Sequence, residues 1–415
     1  MSPVRGGITY PGARALGGMA PTRFLFPFTH LPGEGGGERA QDPQLSPRAV
    51  LCRPLPRADL CRELQVRDIR KMSGQGVFLS ASNVRDYLVD HGLWPRDAAM
   101  SVTELGGGVS NIVLLVEGKA PCGEARRWVV KQSLEKLRVK DDWRSERSRI
   151  FREAEAIRAL DPVLGQGAVP QVVHVGLEDY LLIMTAAPPG SVMWKEALLD
   201  GRVDLGVARH AGRLLALMIT SSQRDPSFRT EFAERAVFDQ LRIDPYYRTT
   251  AARHPDVRPL IEELIDDSWQ IRAAIVHGDY SPKNLLVRGR RIFLIDFEVV
   301  HWGDPTFDVG FLLNHLLLKA FHQPRFGRLY FSAAREFWRE LLTGSEKADR
   351  GDFENMTLRH LGALMLARLD GKSPVEYIRD DMTKDKARRF AKRLLLERPR
   401  SLEETLAAAQ KAVEI

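Results

Sequence analysis

The sequence predicts an α+β chain in two lobes, a small strand-rich one followed by a larger, mainly helical one. Three observations carry this. Between about 79 and 187, short apolar runs of strand type alternate with turn residues around single helical patterns. Beyond 187, apolar residues recur mostly at helical spacing. The change falls at Thr185-Ala186-Ala187-Pro188-Pro189-Gly190, a turn-rich crossing that reads as a proline-bearing hinge. The bounds that follow are 1–71 outside the folded pattern, 72–187 for the N-lobe and 188–415 for the C-lobe.

Residues 1–71 are rich in Gly, Pro and Arg and show no sustained periodicity, which suits a disordered tail or an over-extended start of translation ending before Met72. From Leu79 the pattern is regular. Ser82 can cap a helix bearing Val84, Tyr87 and Leu88, with Gly92 as its stop. Val102–Leu105, the turn Gly106-Gly107-Gly108-Val109-Ser110-Asn111 and Ile112–Val116 read as strand, glycine turn, strand. Trp128–Lys131 is a third strand ending in a lysine, Arg144–Leu160 a helix carrying Glu153, and Gln171–Val175 and Tyr180–Met184 two further strands. Helices are expected at Leu205–Thr220 and Leu260–Ile271, with a polar segment holding Ile243-Asp244-Pro245-Tyr246-Tyr247 between them. Five more follow near 307–321, 331–343, 354–369, 384–396 and 402–413, the last with a Ser401/Glu404 capping box. Two strand-like runs, Ala273–Val276 and Ile292–Ile295, are expected to form a hairpin presenting the polar clusters that follow them.

Composition narrows the function classes. The chain is 44% hydrophobic and 28% charged, and its net charge of +7 arises from 61 basic and 54 acidic residues that are interspersed. So scattered an excess argues against a nucleic-acid surface. No apolar run approaches the roughly 18–20 residues of a membrane span. The three cysteines, Cys52, Cys61 and Cys122, have no zinc or disulfide spacing, so a reducing cytoplasm is the expected compartment.

The chemistry concentrates in Ile275–Gly310. His277-Gly278-Asp279 is followed by Asn284 and then by Asp296-Phe297-Glu298. That layout suits phosphoryl transfer: one carboxylate takes or orients the acceptor proton, and two oxygen donors hold Mg²⁺ against phosphates. Asp279 is the catalytic candidate. Asn284 and Asp296 are candidate Mg²⁺ ligands, and Glu298 either binds a second metal or orients the first. His277 reads as structural, and Asp308 as a brace for the loop. Upstream, Gly106, Gly107, Gly108, Ser110 and Asn111 offer N–H and side-chain groups to phosphates. Lys131 is a candidate for the α- and β-phosphates, paired with Glu153 unless Glu146 or Glu155 competes. An adenine would rest near Met184, Thr185 and Ala186. Tyr246, Trp302 and Arg368 are candidate substrate contacts.

These motifs, HGDYSPKN and IDFE followed by GDPTFDVG, resemble those of the aminoglycoside phosphotransferase and choline kinase superfamily, over roughly 79–400. The resemblance implies a protein-kinase-like fold, with an antiparallel sheet in the N-lobe, and an ATP- and Mg²⁺-dependent kinase acting on a hydroxyl of a small acceptor such as a sugar, amino alcohol or aminoglycoside. It implies a monomer or homodimer. Within the superfamily, Asp296-Phe297-Glu298, VVKQS and IDPYY resemble methylthioribose kinase. Asn284, and Ala367-Arg368 with one arginine where that kinase has a pair, depart from it. The alternative reading is a nucleotide-binding pseudokinase or regulatory module without turnover.

Overall fold

The computed structural model describes residues 78–414, apart from 107, 120–122, 124, 140–141 and 344–349. The expectation for residues 1–71, the three cysteines and Gly107 lie outside the described residues. The first part contains α1 (Val84–Asp90), β1 (Met100–Glu104), β2 (Asn111–Lys119), β3 (Ala125–Ser133), α2 (Arg149–Leu164), β4 (Val172–Gly176) and β5 (Leu181–Thr185). The five strands form one antiparallel sheet in the order β1-β2-β3-β5-β4. Side chains alternate across it with the period of two that a pleated strand imposes. Leu181 and Ile183 face Val84, Leu88 and Trp94, whereas Leu182 and Met184 join the main core with Ile157 and Leu160 of α2. The sheet is thus covered on both faces, and Lys131, well inside β3 rather than at its end, is held between the layers.

The chain crosses out of the sheet between Thr185 and Val192. Beyond it come β6 (Val192–Met193), α3 (Trp194–Leu199), α4 (Leu205–Arg224), α5 (Ser227–Glu231), α6 (Ala236–Phe238), a π-helix (Asp239–Arg248), α7 (Thr249–Arg253) and α8 (Arg258–Gln270). Then follow β7 (Ala274–Val276), β8 (Leu285–Arg288), β9 (Arg291–Leu294), β10 (His301–Gly303), α9 (Thr306–His322), α10 (Gly327–Leu341), α11 (Arg350–Asp370), α12 (Asp381–Glu397) and α13 (Leu402–Glu414). The fold is bilobal and α+β. Its centre is α9, buried from Thr306 to Phe321, as a helix apolar on all sides must be. Gly310 lets α11 approach it: a Cβ there would stand 2.8 Å from His360 Cβ and 3.1 Å from Leu361 N. No helix of the described residues is long and apolar enough to cross a membrane.

One pairing expectation is corrected. Ala273–Val276 and Ile292–Ile295 do not pair with each other. β7 pairs with β10, and β9 pairs with β8 across the turn at Arg288-Gly289-Arg290. The segment between the runs is long enough to hold its own strand, and Gly289, with φ +61°, makes the shorter hairpin. The polar segment around Ile243–Tyr247 lies within the π-helix, where Arg242 and Tyr247 turn inward to buried partners instead of facing water.

Candidate active site

The catalytic loop begins where β7 ends. Asp308, at the start of α9, accepts hydrogen bonds from the N–H groups of His277 (2.6 Å) and Gly278 (2.9 Å). Burial pushes its carboxyl up to about 7 against the pull of those two donors. His277 uses both ring nitrogens on backbone: Nδ1 accepts from Asp279 N at 3.2 Å and Nε2 donates to Ile295 O at 3.1 Å. Burial lowers its pKa to about 4, which keeps this neutral tautomer. Gly278 sits at φ +76°, and a Cβ there would lie 2.7 Å from Val299 Cγ1. The loop therefore admits only glycine between His277 and Asp279. Asn284 Nδ2 donates to Asp279 O (2.9 Å), and Asn284 O accepts from Ile295 N (3.1 Å), which locks the Asn to the residue before Asp296.

Asp296 follows β9 in the left-handed region, φ +73°. An aspartate tolerates that conformation better than most residues, and such strain collects at functional sites. It aims the carboxylate at Lys131, whose Nζ lies 2.6 Å from Asp296 Oδ1 and 2.6 Å from Glu153 Oε2. Glu153 is the partner α2 supplies; neither Glu146 nor Glu155 takes its place. Burial would discharge Lys131, but Asp296, Glu153 and Glu298 hold its pKa well above the ordinary lysine range. Three carboxylates around one ammonium leave negative charge over. It falls on Glu153, where burial, with Asp296 and Glu298 adding to it and Lys131 opposing, raises the carboxyl to about 7.

Glu298 fastens the glycine turn to this cluster. Ser110 Oγ donates to its Oε1 (2.7 Å), Asn111 Nδ2 to its Oε2 (2.8 Å), and Arg149 Nε to Oε2 (3.2 Å). Burial resists its ionisation, yet Lys131 and Arg149 hold it below the usual carboxylate range. Arg149 is itself fully buried and donates to the carbonyls of Ser110 and Leu134 as well. In this arrangement the Ser110 and Asn111 side chains face Glu298.

The cluster fits a divalent cation. Ligand atoms of Glu153, Asp296 and Glu298 lie within 4.8 Å of one another, and Glu153 Oε1 is buried without a hydrogen-bond partner. Mg²⁺ takes such hard oxygen donors beside phosphates. The glycine turn fits a close-approaching ligand. A Cβ on Gly106 would meet nothing within 4 Å, and neither Gly106 nor Gly108 has a positive φ, so the fold itself does not require glycine at either position.

Asp279 faces a cavity of about 200 Å³ that also exposes Asp296 and Glu298. Two cations that the sequence reading passed over flank it: Lys283 Nζ at 2.8 Å and Arg242 Nη2 at 3.1 Å from Oδ2. Burial opposes its charge, but Lys283 and Arg242 outweigh burial and hold Asp279 below the ordinary carboxylate range. Lys283 stands four residues from Asp279 within the motif, a visible signal. Arg242 comes from the π-helix, whose position is set by a buried chain: Tyr247 Oη donates to His360 Nδ1 (2.5 Å) and His360 Nε2 to Asp304 Oδ2 (3.0 Å). No sequence spacing announces that contact.

Tyr246 and Arg368 line the same cavity, 3.3 Å apart between Oη and Nη1. Trp302 does not. Its pairing in β10 turns it into the core, with Nε1 donating to Arg272 O at 3.0 Å. Met184, Thr185 and Ala186 lie at the end of β5 beside β3 and are not among the residues lining this cavity, and Ala186 N donates to Arg127 O (2.9 Å).

A family model for phosphotransferase enzymes matches residues 101–342, more than half of the chain. Methylthioribose kinase of Escherichia coli O45:K1 is 26% identical over 253 residues, 54% of this chain and 58% of that protein. Methylthioribose kinase 2 of Oryza sativa subsp. japonica is 28% identical over 256 residues, with the same shares. The chain therefore spans little more than half the length of these curated relatives. Among solved structures, a choline/ethanolamine kinase family protein from Mesorhizobium loti aligns over 79% of this chain and 99% of its own, at 18% identity and a TM-score of 0.44.

Proposed function

Because the chain belongs to the phosphotransferase enzyme family, we propose that it is an ATP-dependent kinase that moves the γ-phosphoryl group onto a hydroxyl of a small metabolite. The observation that carries this reading is the meeting of Lys131, Glu153 and Asp296 at 2.6 Å contacts, in a cluster that opens on the same cavity as Asp279. In the reaction the acceptor oxygen bonds to the γ-phosphorus as the bond to the β–γ bridging oxygen breaks, its electron pair leaving with ADP. Asp279 accepts the hydroxyl's hydrogen bond and takes its proton. Held ionised by Lys283 and Arg242, it is a weak base and mainly an aligner; the proton moves once the new P–O bond has acidified the hydroxyl. Lys131 would meet the α- and β-phosphates, and the N–H groups of the glycine turn would approach the phosphates closely. Asp296, with Glu298 and Glu153 beside it and Asn284 from the catalytic loop, would hold Mg²⁺, which would neutralise phosphate charge.

The test is ADP formation from Mg·ATP by the full chain with sugars, sugar acids, amino alcohols and aminoglycosides. Asp279→Asn should lower kcat by a factor on the order of 10²–10⁴ with the fold retained. Unchanged turnover in that variant removes Asp279 from the mechanism. No ADP with any acceptor, while Mg·AMP-PNP still raises Tm, returns the protein to a nucleotide-binding module.

A further inference from the structure

Beyond Asp279 the cavity runs between α9, α11 and the segment Ser373–Tyr377. Its charges there are unbalanced. Lys195 is ion-paired with Glu376. Lys319 and Arg368 have no carboxylate within ion-pair distance among the described residues. Lys319 is fully buried. Its Nζ reaches only His315 O, at 3.3 Å, and stands 5.1 Å from the Tyr377 ring centroid. Arg368 bonds Tyr246 Oη, Ser373 Oγ and Ser373 O, all neutral, and its Nε is buried without a partner.

A buried cation without a counter-charge is costly, and proteins retain one mainly where something else supplies that charge. The neighbours register the surplus. Burial, joined by Lys195 and Arg368 and only partly opposed by Glu376, brings Lys319 down to about 7. Burial with Lys319 and Arg368 drives His315 well below the usual histidine range. Tyr246 is lowered against its burial by Arg368 and Arg242. The nucleotide does not account for these groups, because the phosphate-facing candidates Lys131 and the glycine turn belong to the sheet side of the cleft.

We propose that the acceptor carries an anionic group, a carboxylate or a phosphate, which docks on Lys319 and Arg368 while its hydroxyl reaches Asp279. This rests on the kinase reading above and narrows its substrate class. Cationic acceptors such as choline or an aminoglycoside would meet Lys319, Arg368 and Lys195, beside a Glu376 already paired with Lys195. The stem of such an acceptor would lie along Phe311 and Tyr246, whose rings stack at 5.9 Å.

Calorimetric titration of the full chain tests this, first with Mg·AMP-PNP to saturation and then with inorganic phosphate, glucuronate, glucose or choline. Phosphate is expected to bind the nucleotide-loaded protein, and glucuronate to bind at least tenfold more tightly than glucose or choline. Lys319→Met and Arg368→Gln, each verified by its melting curve, should each weaken phosphate at least tenfold while leaving AMP-PNP affinity within twofold. The inference is overturned if phosphate does not bind the loaded wild type, if both variants bind it as wild type does, or if choline is preferred. Failure of AMP-PNP to bind in the first titration counts against the kinase reading instead, and the phosphate titration without nucleotide still decides the anion site.

Discussion

The cleft joins two charge clusters of opposite surplus, the sheet-side one buried and the helical-side one partly exposed. On the sheet side, Glu153, Asp296 and Glu298 face Lys131 and Arg149, three carboxylates against two cations. On the helical side, Asp279 and Glu376 face Arg242, Lys283, Lys195, Lys319 and Arg368. The first surplus suits a metal cation and the second suits an anion. The buried members of each side, Glu153 and Glu298 on one and Lys319 and Arg242 on the other, would be relieved by a reactant of the opposite sign. The difference assigns the two halves different partners without appeal to any single motif.

Removing a carboxylate from the sheet side is expected to break the comparison most severely. Asp296→Asn should reduce turnover by at least 10³-fold, on the order seen when a principal charge-stabilising group is lost, and should raise the Mg²⁺ concentration needed for half-maximal rate. A variant whose Mg²⁺ requirement is unchanged would separate Asp296 from the metal. Taking the cation out comes next. Lys131→Met leaves Glu153 and Asp296 facing each other, with a stability loss of about 3 kcal/mol or somewhat less, since Glu153 can take a proton. Mg²⁺ should return part of the lost Tm in this variant because it restores positive charge to the same atoms. Arg242→Met serves as the contrast, for Mg²⁺ should return none of its loss.

The smallest effect is a displacement on the pH axis. Asp279 must be ionised to accept the acceptor's proton, and Lys283 and Arg242 hold its pKa below the ordinary value. Removing Arg242 raises that pKa, so kcat/KM should fall at a higher pH on the acid side than it does in the wild type. An acid limb that stays in place, or moves to lower pH, would mean that Arg242 does not tune Asp279.

Much of the sheet side was legible. Glycines between strands, a lysine in an apolar strand, a glutamate on the next helix and IDFE are local patterns. The Lys131–Glu153 pair, the structural role of His277 and the bracing by Asp308 follow from such patterns. The hairpin expectation failed because a strand's partner is chosen by the intervening chain, here a shorter hairpin at Gly289. Trp302 was misread as a cleft residue because an aromatic beside an acidic loop gives no hint of which face of β10 it takes. The helical side was legible in part: Asp279, Tyr246 and Arg368 are candidates from the sequence, whereas Arg242, Lys319 and the charge they add are not. His315 and Lys319 do interrupt the most apolar helix four residues apart, a signal that was visible, but nothing in the spacing shows that Arg368, from α11, approaches them.

By itself the sequence determined the α+β division, the helices and the residue types at the phosphoryl-transfer loops. These depend on periodicity and on chemistry carried within a few residues. Only the tertiary structure decided that Glu298 ties the glycine turn to Arg149, that Arg242 and Lys283 keep Asp279 charged, and that a buried Lys319 and a half-buried Arg368 stand without an ion-paired carboxylate. Those facts are sums of charge over groups far apart in the chain, and no local pattern records a sum that packing alone brings together.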